Sequence, residues 1–219
     1  MLNAFRREEY LRESSVDRWA SEFLDELGRK NWPFEFDPSS SALLVIDMQE
    51  YFLSPSSEAF IPSVRAILER LNKCIEAFRR SERPVVFTRH IDDEGEDTVM
   101  TRWWDGKISA GDPLSRLYSG FDVSGAIVIE KSQYDAFAGS RLEELLRESR
   151  IRQVVITGVL THLCCETTAR GAFMRNFEVF FPVDGTATYN EDFHRATLLN
   201  LSHGFAVLTT CNDIIRSMG

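Results

Sequence analysis

The chain has 219 residues, 43% of them hydrophobic and 27% charged, a composition that fits a globular protein with one sizeable core. The formal net charge of −9 leaves no positive surplus to neutralise phosphates, which excludes general nucleic-acid binding. No apolar run approaches the ~20 residues a membrane helix needs, and MLNAFRREEYLRESS at the N-terminus has no apolar h-region, so neither a membrane partner nor a signal peptide is expected. Cys74, Cys164, Cys165 and Cys211 form no CxxC pair and no zinc spacing, which points to a reduced, cytoplasmic protein.

In chain order, residues 4–28 predict a helix. Phe5, Tyr10, Leu11, Trp19, Phe23, Leu24 and Leu27 make an apolar stripe, and Gly28 can end it. This helix is expected outside the core or on another subunit, and 31–41 is a loop rich in turn formers. ALLVI, 42–46, predicts the first buried strand. Asp47 ends it, either as a turn or helix cap or as a chemical group. A helix over 62–80 follows, with Val64, Ile67, Leu68, Leu71, Ile75 and Phe78 inward, and then a strand, PVVFT, at 84–88. Residues 91–123 are irregular and long enough for a binding loop or lid; Trp103 and Trp104 there suit either an edge or oligomer contact or a substrate wall.

AIVI, 126–129, predicts the third strand, just before Lys131, a residue open to either a surface ion pair or a catalytic role. A helix over 139–149, with Leu142, Leu145 and Leu146 inward, leads to the fourth strand, QVVIT, at 153–157, closed by Gly158. Thr161 is the expected N-cap of the next helix, with Ala169, Ala172 and Phe173 on its packed face. That cap would put Cys164 at N3, where free N–H groups and the helix dipole favour a thiolate; the competing reading is a buried, inert thiol. EVFFPV, 178–183, predicts a fifth strand, Asp184-Gly185 a turn, 190–202 a helix, FAVLT, 205–209, a sixth strand, and 212–218 a final helical turn or two.

Six buried strands alternating with helices imply an α/β fold: a six-stranded parallel sheet, doubly wound and Rossmann-like, in a three-layer αβα sandwich. In such a sheet ligands bind outside the carboxyl ends of the strands. Asp47, Lys131 and Cys164 each follow such an end, which places a base, a cation and a thiol at one edge.

The runs LLVIDMQEYF, IEKSQYDAF and VVITGVLTHLCCETTARGAF resemble, in order, the three signature blocks of the isochorismatase-like cysteine hydrolases. The resemblance covers about residues 40–210. It divides the chain into an N-terminal helical extension, 1–40, and a hydrolase domain, 41–219. It implies an Asp–Lys–Cys triad of Asp47, Lys131 and Cys164, with Cys165 as the neighbour and not the nucleophile. It also implies a cis peptide between Val159 and Leu160, and an oxyanion site at the N–H groups of Leu160 and Cys164. The expected reaction is cleavage of a C–N bond in a small amide, ureide or carbamoyl compound through a thioester, with no cofactor, by a dimer or tetramer. Nicotinamidases in this family hold a metal with an Asp and two His after the second strand; Arg89, His90, Asp92 and Asp93 do not supply that set, so no metal is expected. Gln49, Phe52, Trp104, Tyr134, Phe137 and His162 are the expected substrate contacts, and each also suits the core. Asp135 would bring a further negative charge near Lys131. Two other readings remain: an isochorismatase that cleaves a vinyl ether with Asp47 as acid, and a catalytically silent binding protein.

Overall fold

The structure is a computed structural model that describes residues 6–28, 32–92, 95, 97–104 and 108–219. In chain order its elements are α1 (Val16–Leu27), β1 (Ser41–Ile46), α2 (Glu50–Leu53), α3 (Arg65–Arg80), β2 (Val85–His90), α4 (Val99–Trp104), β3 (Ile127–Lys131), α5 (Leu142–Glu148), β4 (Gln153–Val159), α6 (Glu166–Met174), β5 (Glu178–Pro182), β6 (Thr186–Ala187), α7 (Glu191–Gly204), β7 (Val207–Thr209) and α8 (Cys211–Ser217). The sheet runs β3-β2-β1-β4-β5-β7, and the short β6 lies beside β4. Every ladder between these strands is parallel.

The alternation of side chains along β1 divides the core into its two halves. Leu43 and Val45 face α3, where Ile67, Leu71, Ile75 and Phe78 close over them with Ile214 of α8. Ala42, Leu44 and Ile46 face the other way, against Leu142 and Leu146 of α5, Ala169 and Ala172 of α6, and Leu198 and Leu201 of α7. This is the expected three-layer αβα sandwich. The seventh strand is the difference. β6 is two residues long and pairs Gly158 with Thr186 and Val159 with Ala187. A segment this short, just past a turn, carries no alternation that a sequence reading can detect.

The N-terminal segment differs more. α1 starts only at Val16, and the described residues before it run as an extended arm and turn. The N–H groups of Tyr10 and Leu11 donate to Ser63 Oγ at 3.0 and 3.1 Å, so they are not available to a helix ladder. Phe5 lies outside the described residues. Val16, Ala20 and Phe23 of α1 are buried within this chain, so the helix spends its apolar face on its own domain. No helix among the described residues is long and apolar enough to cross a membrane.

Candidate active site

Three parallel strands bring the expected triad together. Asp47 follows β1 in a left-handed conformation, φ 48°, that turns its carboxylate off the strand line. β2 lies between β1 and β3, and His90 of β2 is level with Lys131 at the end of β3. On the other side of β1, Ile46 pairs with Gly158, which opens the turn to Cys164. Gly158 has φ +109°, and a Cβ there would stand 2.1 Å from the Ile46 carbonyl oxygen, so neither the torsion nor the space admits a side chain.

The next peptide, Val159–Leu160, is cis. Thr161–Cys165 then form a π-helical turn, and the α-helix begins only at Glu166. Thr161 is not the expected N-cap: that position falls to Leu160, and the Thr161 hydroxyl lies 3.0 Å from His194 Nδ1 instead. Of the expected packed face, Ala169 and Ala172 are buried, whereas Phe173 is 37% exposed.

Lys131 Nζ sits 2.7 Å from Asp47 Oδ2, 3.5 Å from Cys164 Sγ and 2.9 Å from the Gln133 carbonyl oxygen. The side chains of Lys131 and Asp47 are wholly buried. Thr88 Oγ1 donates to Asp47 Oδ1 at 2.6 Å. Asp47 Oδ2 faces the ammonium as an ion pair, and no donor among the described residues is aligned on it as a hydrogen bond. With Oδ1 taken by the Thr88 hydroxyl, Oδ2 is the carboxylate oxygen turned to Lys131.

Burial alone would raise the Asp47 carboxyl. The Lys131 charge, the nearby His90 and the Thr88 hydrogen bond outweigh it and hold the group below the usual carboxylate range. Lys131 is held up in turn: burial opposes its charge, but Asp47 and Cys164 more than compensate. Cys164 departs from the thiolate expected at a helix start. Burial pushes its thiol well up, Lys131 only partly offsets this, and Asp47 adds to the rise. The resting site is thus carboxylate, ammonium and neutral thiol.

Cys164 opens onto a cavity of about 80 Å³. Tyr51, Phe52, Trp104, Tyr134 and Tyr189 form aromatic walls, and Leu160 lies beside the thiol. Trp104 Nε1 donates to Tyr134 OH at 2.6 Å, which ties α4 to the cavity wall beyond β3. Trp103, its neighbour, points away and is 73% exposed. Met100, Trp104 and Ile108 reach the cavity, so the described part of 91–123 supplies one of its sides.

Three of the expected contacts are elsewhere. The Gln49 amide is buried and bonded to the loops around it, donating to the carbonyls of His90 and Ser115 at 3.0 and 2.8 Å and accepting from the His90 N–H at 2.7 Å. Phe137 stacks on Phe177 at 5.9 Å beneath the Arg175 guanidinium. His162 is stacked on Phe193 at 4.3 Å, with Nδ1 2.6 Å from Thr188 Oγ1. None of these three lines the cavity. Asp135 accepts from the Phe137 N–H at 3.0 Å and pairs with Arg175 at 3.4 Å, so a local cation meets its charge.

Tyr51, Tyr189, Glu58 and the His90–Asp92 pair are cavity residues that the sequence reading missed. Thr88 was missed as the partner of Asp47, although a lone hydroxyl closing the otherwise apolar run PVVFT is a signal that could have found it. His90 Nε2 and Asp92 Oδ1 are 3.2 Å apart, and Asp92 Oδ2 accepts from the Ile108 N–H at 2.7 Å. These donors are engaged with one another and with backbone, and the described residues contain no group of three or more His, Cys, Asp or Glu placed to hold a metal ion. Asp93 lies outside the described residues.

Such a strand edge, with a thiol, a carboxylate and an ammonium above a parallel sheet, defines a class of α/β hydrolase. The Isochorismatase domain model matches residues 41–213, and the chain belongs to that family of isochorismatase-like cysteine hydrolases. It is 40% identical over 191 residues to Nicotinamidase 3 of Arabidopsis thaliana, covering 83% of this chain and 91% of that protein. It is 28% identical over 168 residues to the Isochorismatase of Bacillus subtilis, covering 74% of this chain and 53% of that protein. A solved cysteine hydrolase from Pseudomonas syringae pv. phaseolicola shares the fold with a TM-score of 0.82 at 24% identity, covering 87% of this chain and 98% of that one.

Proposed function

We propose that this hydrolase cleaves the C–N bond of a small amide, ureide or carbamoyl compound through a thioester on Cys164. The observation that carries the reading is the Lys131 ammonium, buried between Asp47 Oδ2 at 2.7 Å and Cys164 Sγ at 3.5 Å at the edge of an aromatic cavity. Asp47 Oδ2 takes the thiol proton as Sγ attacks the substrate carbonyl carbon. The carbonyl oxygen gains the negative charge and is received by the N–H groups of Leu160 and Cys164. Collapse of the tetrahedral species breaks the C–N bond, and the proton on Asp47 leaves with the amine. Water then gives a proton to the same carboxylate, attacks the thioester and releases the acid, and the proton returns to sulfur.

The aromatic walls suit a planar group beside the scissile carbonyl, and the relative named Nicotinamidase 3 makes nicotinamide the first compound to try. Vinyl ether cleavage with Asp47 as acid would leave the thiol idle. A panel of amides, ureides and carbamoyl compounds, assayed for ammonia or amine release with wild type beside Cys164→Ala, tests the proposal, with isochorismate in a separate assay. Release by wild type alone is expected. Full turnover by Cys164→Ala would overturn the thioester route.

A further inference from the structure

The arm ahead of α1 has no part in the reaction just described. The Glu8 N–H donates to the Tyr189 carbonyl at 2.8 Å, and the Asn190 amide donates to the Arg6 carbonyl at 3.1 Å. The Arg7 guanidinium lies 4.4 Å over the Tyr189 ring and bonds the Glu58 carbonyl. Tyr189 and Glu58 line the cavity, so the arm backs one of its walls.

Tyr10 reaches further. Its hydroxyl lies 3.0 Å from His194 Nδ1 and accepts from the Thr188 N–H at 3.1 Å. His194, fully buried on α7, has Nε2 3.0 Å from the Val183 carbonyl. A carbonyl can only accept, so the proton is on Nε2 and Nδ1 is the acceptor. Nδ1 offers one in-plane lone pair, which Tyr10 OH and Thr161 Oγ1, each at 3.0 Å, share, and the Tyr10 ring packs on the imidazole at 5.4 Å. Burial lowers His194 to about 4, which keeps it a neutral acceptor at neutral pH. Thr161 opens the turn that carries Cys164 and directly follows Leu160.

We propose that Tyr10 and His194 are positioning residues: the phenol seats the buried imidazole, the imidazole fixes Thr161, and together they set the Leu160–Cys164 turn against the substrate carbonyl. The inference rests on the thioester reading. The arm has anchors of its own at Ser63, Glu8 and Arg7, so the Tyr10–His194–Thr161 chain is not needed merely to hold it down. A displacement of about 1 Å at a reacting group can cost about 100-fold in rate; partial loosening of the turn predicts about 10-fold.

The test is a double-mutant cycle of Tyr10→Phe and Thr161→Val, both close to isosteric. kcat and KM are measured per mole of folded enzyme, beside melting temperature and Cys164→Ala. Each single change is expected to lower kcat about 10-fold with KM within about twofold, and the double variant to lose little more than the worse single, because both act through Nδ1. A Tyr10→Phe enzyme with kcat near wild type, a rise in KM in place of the fall in kcat, or losses that multiply would overturn the positioning role. Turnover that survives Cys164→Ala would instead remove the thioester reading on which it rests.

Discussion

Replacing Lys131 by Met tests the electrostatics of the site. At 2.7 Å the ammonium and the Asp47 carboxylate attract by about 6 kcal/mol at an effective dielectric of about 20. Desolvating two ions costs several kcal/mol each, so the intact pair contributes little net stability. Removing one partner is different, because it strands a carboxylate in a wholly buried place at a cost of about 3–5 kcal/mol. The sign of the pH dependence also changes. In the wild type the Asp47 carboxyl is depressed, so its contribution is present above the unfolded carboxyl value and lost as pH falls through the folded one. Without Lys131 burial dominates, the carboxyl is raised, and the variant's deficit shrinks as pH falls toward the ordinary carboxylate range. Urea unfolding followed by circular dichroism at pH 7 and pH 5 reads both effects. Lys131→Met should lose about 3–5 kcal/mol at pH 7 and less at pH 5, and adding Asp47→Asn should restore most of the loss. Neither variant should turn over substrate. A single variant within about 1 kcal/mol of wild type at pH 7, or a double variant less stable than the single, would refute the reasoning.

Gly158→Ala places a methyl 2.1 Å from a backbone oxygen at φ +109°, so soluble yield should collapse, and a normal melting temperature would contradict the packing of β1 on β4. His194, lowered to about 4 by burial, contributes stability that is present above its unfolded value near 6.5 and lost as pH falls through 4. That loss approaches about 3 kcal/mol and should be smaller in His194→Gln, and equal pH slopes in urea unfolding would argue against it. Tyr134→Phe removes the Trp104 hydrogen bond at the cavity wall and should raise KM about three- to tenfold at unchanged kcat, whereas a loss confined to kcat would put Tyr134 in the chemistry.

The main features of this fold were legible because topology constrains them. Once AIVI, ALLVI and QVVIT are parallel strands of one sheet, Lys131, Asp47 and Gly158 must emerge at one edge, whatever the loops do. The parts that were not legible depend on partners distant in sequence. The stripe through Tyr10 and Leu11 fits a helix, but Ser63, 53 and 52 residues away, takes both N–H groups. Thr161 has the right chemistry for an N-cap, but His194, 33 residues on, occupies its hydroxyl. Gln49 and Phe52 stand three residues apart just past β1, and nothing in their order shows that one braces the end of β2 and the Ser115 turn while the other faces the cavity.

The pKa pattern bears on how the proposed reaction starts. The one ammonium beside Cys164 is shared with Asp47, so its charge is not available to the sulfur alone. Burial and the carboxylate together keep Cys164 protonated. The electrostatic balance changes only when the proton starts to leave the sulfur. In the proposed attack, negative charge would move toward the N–H groups of the Leu160–Cys164 turn, and the thiol proton would go to Asp47 Oδ2, whose own charge would then be neutralised. In that scheme Lys131 would stay protonated while its partner shifts from carboxylate toward sulfur and the developing oxyanion. The burial that holds the thiol inert at rest also strengthens these interactions during attack, because water is excluded from the space where they act.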